Sequence, residues 1–127
     1  MRISLTTLVV TDYDEAIRFY VDALGMDLVE DTDRGGGKRW VVVRPPGAES
    51  GLLLARAVDD EQAAAVGRQT GGRVAFFLEV DDFEDAWTRM TAAGVEFVEP
   101  PRRESYATVA VFRDVAGNRW DLLGPPS

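Results

Sequence analysis

Two pairs of carboxylates, Asp12 with Glu15 and Asp82 with Asp85, and a lone acid near the carboxyl end, Asp121, are the side chains of this 127-residue sequence best placed for acid-base or metal chemistry. Their usual partners are missing, because the chain contains no histidine and no cysteine. That removes the imidazole base, the Ser-His-Asp triad, the two-histidine iron site, the thiolate nucleophile, the zinc cluster and the disulfide in one step. Any metal would have to be held by oxygen alone. The carboxylate pairs also have a plainer reading. Each stands at i and i+3 directly before a helical pattern, the spacing of an N-cap and its capping-box partner, so neither is assigned catalysis. Gly35-Gly36-Gly37 has the flexibility of a phosphate loop, yet a strand pattern follows it instead of a helix, and it reads as a hairpin turn.

Composition sets wider bounds. A chain of this length with 46% apolar residues suits one domain with a core, and 28% charged residues argue against disorder. With 22 acidic against 14 basic residues the net charge of −8 repels phosphate backbones and anionic headgroups, so neither nucleic acid nor membrane is an expected partner. The opening residues Met1-Arg2-Ile3-Ser4-Leu5-Thr6 lack the apolar core of a signal peptide, and no run reaches the ~20 apolar residues of a membrane span. The expected location is cytoplasmic.

The elements that position these residues come from a duplication. Slid against itself by seventy positions, the sequence places Val10-Thr-Asp-Tyr-Asp-Glu-Ala16 over Val80-Asp-Asp-Phe-Glu-Asp-Ala86; skipping Leu24, it then places Gly25 over Gly94. In the first copy, residues 3–10 read as a strand. Asp12 caps a helix whose stripe is Ala16, Ile17, Phe19, Tyr20, Ala23 and Leu24, and Gly25 stops it. Strand patterns follow at 26–30, 38–44 and 52–56, divided by the glycine run and by Pro45-Pro46-Gly47. The second copy repeats the order, with a strand at 74–80, a helical stripe of Phe83, Ala86, Trp87, Met90 and Ala93 stopped at Gly94, and strands at 95–98, 106–112 and 118–123. Between the copies, Asp59, Gln62 and an alanine run predict a short helix. The expected organisation is one α+β domain of two tandem βαβββ modules: module one at 1–57, a linker at 58–72 and module two at 73–127, each with a cupped mixed sheet and its helix on the outer face.

This double module, with Val10-Thr-Asp12 before the first helix and Phe112-Arg-Asp114 followed by Gly117-Asn118-Arg119-Trp120-Asp121-Leu122 near the end, resembles the vicinal oxygen chelate superfamily of glyoxalases, extradiol dioxygenases and bleomycin resistance proteins. The resemblance covers almost the whole chain and implies the fold far more strongly than an activity, because isomerases, lyases, dioxygenases and drug binders share it. It also implies where a metal would sit. Carried over one at a time, the four ligand positions fall on Leu5, on Leu54 within Leu52-Leu53-Leu54, on Ala75 and on Asp121. Only Asp121 can ligate, so no metal and no cofactor are expected.

Strand alternation says what the cup holds instead. Leu5 brings Ile3, Thr7 and Val9 to its face; Ala75 brings Arg73, Phe77 and Glu79; Asp121 brings Arg119 and Leu123. A mostly apolar cup with sparse polar groups suits a small organic ligand, and the acidic balance favours a cationic one. Asp121 is then solvated, paired with Arg73 or Arg119, or open to the ligand. Trp40 is a stacking wall or a core residue, while Trp87 and Trp120 belong to the core. Tyr106 can cover a ligand or pack at a strand edge, and Gln69 and Thr70 can donate into the cup mouth or serve a linker turn. The expected pocket is therefore Leu5, Thr7, Trp40, Leu54, Ala75, Phe77, Tyr106 and Asp121. The resemblance to the bleomycin resistance branch implies a homodimer that binds or sequesters a small molecule, in the manner of antibiotic resistance. The alternatives are a lyase, isomerase or dioxygenase with a non-standard oxygen-ligand metal site, and a metal-free enzyme with Asp121 or Glu79 as base.

Overall fold

The duplicated segments fold as two units, Met1–Gly67 and a second beginning at Arg68, in a computed structural model that describes residues 1–126. The division falls inside the stretch read as a linker. In the first unit, β1 (Leu5–Val10) leads into α1 (Tyr13–Ile17), then β2 (Asp27–Gly35), β3 (Lys38–Arg44), β4 (Gly51–Arg56) and the short α2 (Asp60–Ala65). The sheet runs β1-β4-β3-β2, with β1 parallel to β4 and the other neighbours antiparallel. The Asp12 carboxylate accepts the Glu15 backbone N–H at 2.8 Å, so this pair serves the helix start. The α2 cap forms as its spacing predicts: Asp59 accepts from the Gln62 backbone at 2.8 Å, and the Gln62 side chain accepts from Val58 at 3.0 Å.

The first helix runs as far as its stripe and glycine stop predict, but it is not α-helical throughout. Beyond α1 it continues as a π-helical segment, Arg18–Ala23. The reason is the residue that the duplication cannot pair. Leu24 is one more than the second copy carries between cap and glycine stop, and the helix absorbs it by widening: the Leu24 N–H reaches back five residues to the Phe19 carbonyl at 3.0 Å. The wider turn keeps Ala16, Tyr20 and Leu24 on one buried face, against the buried Leu8, Val10, Val41, Val43 and Leu54 of the sheet. The hairpin between β2 and β3 also departs from expectation, since β2 runs on to Gly35 and the turn closes on Gly36 and Gly37, with φ of +65° and +82°. Two successive left-handed residues suit the twist of a tight hairpin, and glycine supplies them without strain.

The second unit has β5 (Phe76–Glu79), α3 (Phe83–Ala92), β6 (Glu96–Phe97), β7 (Arg102–Arg103), β8 (Thr108–Arg113) and β9 (Arg119–Gly124). Its sheet runs β5-β9-β8-β6, with β7 also paired to β8. The small β7 lies within what reads as a loop in the sequence, where Pro100-Pro101 masks a two-residue ladder. α3 is a regular α-helix, capped by Asp82 accepting from Asp85 at 3.0 Å. Phe83, Ala86 and Met90 form its buried face, the helix packs on β9, and Ala110, Phe112, Trp120 and Leu122 are buried in the sheet. Helix and sheet approach closely at Gly124, where an added Cβ would lie 2.6 Å from that of Phe83.

The turn between β8 and β9 is organised by one carboxylate. Asp114, 5% exposed, accepts from the backbones of Ala116 (3.0 Å) and Asn118 (2.8 Å), from the Asn118 amide (3.1 Å) and from the Trp120 indole (3.0 Å). The family-like stretch Asp114 to Trp120 therefore holds a hairpin together and fixes the strand that carries Asp121. Replacing this carboxylate strands several buried donors, so Asp114→Ala is expected to destabilise the protein by roughly 3 kcal/mol in urea unfolding, whereas a loss below ~1 kcal/mol would contradict this role.

Candidate functional site

In the first sheet, residues paired across strands share a face. Leu8 pairs with Leu54, and Leu54 with Val41, which puts all three under the helix. The opposite face is open: Thr7 pairs with Leu53 and Leu53 with Val42. Leu5 and Trp40 lie two residues from Thr7 and Val42 and share that face. The second carried-over position thus belongs to Leu53, which corrects the choice of Leu54. Three successive leucines carry no period, and only the register separates them. Leu54 is fully buried and backs the site from the core side. Trp40 resolves toward the open face, where the Arg34 guanidinium lies 5.7 Å from its ring centre.

At one end this sheet splits. The β3–β4 ladder stops at Val41↔Leu54, while β3 stays paired with β2 to Lys38 and β4 with β1 to Arg56. Between the diverging strands lies a cleft of about 300 Å³, lined by Tyr13, Lys38, Arg39, Trp40, Leu53 and Arg56 among others. Tyr13 wedges the split. Its hydroxyl accepts the Arg39 backbone N–H at 3.1 Å, taking the place of a missing strand partner, and the guanidinium groups of Arg39 and Arg56 lie 5.2 and 5.5 Å from its ring centre. Arg39 is further held by Asp14 at 2.9 Å and by Asp31 through Nε at 3.1 Å and Nη2 at 2.7 Å. The Arg39 hydrogen bond keeps the Asp31 carboxyl below its ordinary range, and the same two acids push the guanidinium pKa upward.

The second unit places Phe77 and Asp121 side by side in register, with Glu79 on the same face opposite Leu123. Phe77 is 64% exposed. Ala75 lies just before β5, where its N–H donates to the Arg119 carbonyl at 2.8 Å. Asp121 is half-buried, and its Oδ1 is shielded from water with no hydrogen-bond partner. Among the described residues no ion pair joins it to Arg73 or Arg119, which removes one of its three expected fates. The cation that acts on it, Arg102, is engaged by Glu99 at 3.3 Å and Glu104 at 3.2 Å. Burial accordingly pushes the Asp121 pKa up, with Arg102 pulling it down and Glu99 adding to the rise. Tyr106 precedes β8 and is 68% exposed. Gln69 and Thr70 lie in turn structure, with the Thr70 hydroxyl donating to the Arg73 carbonyl at 2.7 Å.

The predicted residues thus form two groups: Leu5, Thr7 and Trp40 with Leu53 in the first unit, and Phe77 with Asp121 in the second. Tyr13, Arg39 and Arg56 escaped the sequence reading, because an aromatic after a cap and arginines at strand ends look like surface and core. No group of three or more acidic side chains placed to hold a metal ion occurs among the described residues.

The profile of the Glyoxalase/Bleomycin resistance protein/Dioxygenase superfamily matches residues 2–122. The chain is 56% identical over 118 residues to an uncharacterized protein of Shewanella frigidimarina, spanning 91% of this chain and 87% of that protein. Among solved structures it is similar to UcmS2, at 30% identity, a TM-score of 0.84 and 97% coverage of both chains. It is also similar to TnmS3, described as an antibiotic binding protein from Streptomyces sp. CB03234, at 28% identity, a TM-score of 0.79 and coverage of 98% and 96%.

The raised Asp121 pKa fixes a pH dependence. The charged form is the one penalised by folding, so its cost is absent below the ordinary carboxylate range and grows as pH rises through the raised value. Asp121→Asn is expected to raise the Tm at neutral pH, with the gain fading as the pH falls to the ordinary carboxylate range. Thermal unfolding across that range checks it, and a destabilised variant at neutral pH would contradict it.

Proposed function

Because the chain belongs to the glyoxalase/bleomycin resistance protein/dioxygenase superfamily, and because three of its four metal-ligand positions carry aliphatic side chains, we propose that it binds or sequesters a small organic molecule without the family metal centre. The observation that carries this reading is the donor set. Leu5, Leu53 and Ala75 offer no lone pair, and Asp121 alone would leave a divalent ion mostly hydrated. The residues do not fit the metal. What the same positions supply is apolar strand face, bordered by Trp40 in one unit and by Phe77 with a half-buried carboxylate in the other. Such surface captures a partly apolar molecule, and the unpartnered Oδ1 of Asp121 favours a ligand that donates hydrogen bonds or carries positive charge. The likeness to an antibiotic binding protein supports a small molecule as the ligand. In this reading the protein is a homodimer, as the family resemblance implies, and works in the cytoplasm; among the described residues no helix is long and apolar enough to cross a membrane.

A second reading rests on the raised pKa of Asp121, with Glu79 on the same strand face: a lyase, isomerase or dioxygenase that uses these acids as oxygen ligands or as a base. Its metal-dependent form requires activity lost both on chelation and in Asp121→Ala, and its metal-free form requires loss in Asp121→Ala with chelator having no effect. The binding reading is tested by thermal shift against a panel of antibiotics and aromatic small molecules that includes cationic glycopeptides. A true ligand at a hundred times its Kd stabilises by ~2.7 kcal/mol, and an unmoved Tm across the panel would overturn the reading.

A further inference from the structure

We infer that the cleft between β3 and β4 binds an anionic planar molecule, such as an aromatic carboxylate, with Arg56 as its charge partner, Lys38 at its rim and Trp40 as its stacking wall. The inference shares Trp40 and Leu53 with the reading above but does not depend on Asp121, which lies in the other unit. It begins from the cations. In a chain of net charge −8, Lys38, Arg39 and Arg56 line one cleft of about 300 Å³. Arg39 is spent structurally on Asp14 and Asp31. Arg56 and Lys38 form no ion pair among the described residues, so the cleft keeps two uncompensated positive charges.

The way Arg56 is held matters as much as its charge. Its guanidinium lies over the Tyr13 ring, 5.5 Å from the centre, which fixes the long side chain. A guanidinium resting on a ring face keeps its N–H donors in its own plane, where a carboxylate can take two at once. Tyr13 is fixed in turn by the Arg39 backbone N–H, so the fork stands on a buried, 6% exposed support. Beside it, half-exposed Trp40 and the side chains of Leu53 and Ala55 provide flat apolar surface. A volume of about 300 Å³ stands at the small end of organic-ligand sites, which favours one compact ring system. The split in the ladder is what makes room, since continued pairing of β3 with β4 would close the gap.

The test is a charge-matched series on one ring: naphthoate, naphthamide and naphthylmethylammonium, titrated calorimetrically into the full chain, with backbone amide shifts locating the site. Naphthoate is expected to bind tightest, to weaken with added salt and to move Gly36, Arg39 and Trp40. Arg56→Gln should weaken it roughly tenfold, Arg56→Lys less, and Arg18→Gln, the same charge change on the first helix, not at all. Absence of naphthoate binding at millimolar concentration, equal or tighter binding of the ammonium compound, or full affinity in a folded Arg56→Gln would each overturn the inference. Those outcomes leave the small-molecule reading standing if the wider panel still shifts the Tm, so the two fail separately.

Discussion

Each unit depends on one constraint: a helix can cover only one face of its sheet, and the two-residue period of a strand sends every other side chain to the face that stays open. Leu8, Val10, Val41, Val43 and Leu54 satisfy the helix in the first unit, and Ala110, Phe112, Trp120 and Leu122 do so in the second. Once those are placed, Thr7, Leu53 and Trp40, or Phe77 and Asp121, have no choice of direction. The candidate site is the complement of the core. Asp114 enforces the same logic at the end of the chain, because its hydrogen bonds hold Trp120 inward and so turn Asp121 outward.

The caps were legible because their chemistry is local. Asp12, Asp59 and Asp82 each accept the N–H three residues on, as their spacing predicts. The odd Leu24 was visible as a skipped position in the duplication, but a π-helical turn is one of several ways to house an extra residue, and only packing of Tyr20 and Leu24 against the sheet selects it. Leu53 against Leu54 could not be read, since a run of identical residues has no period. The cleft was equally invisible. It arises where two strands stop pairing, and that depends on Tyr13 reaching the Arg39 backbone across 26 positions of sequence.

Charge and polarity divide the two sites. The first unit gathers uncompensated cations and aromatic surface in a split sheet, while the second holds a carboxylate oxygen that finds no donor. The second condition is costly for an empty protein and inexpensive for one that binds a hydrogen-bond donor or a cation. A family metal would have relieved Asp121, yet the aliphatic side chains at the other three positions withhold the ligands it would need.

The most direct measurement of this account is elemental analysis by plasma mass spectrometry on untagged protein, after incubation with magnesium, manganese, iron, nickel and zinc and removal of loosely held ions. The account predicts metal far below one equivalent per chain, with ligand binding intact in the presence of chelator. One tightly held metal per chain would contradict it and put the enzyme reading first.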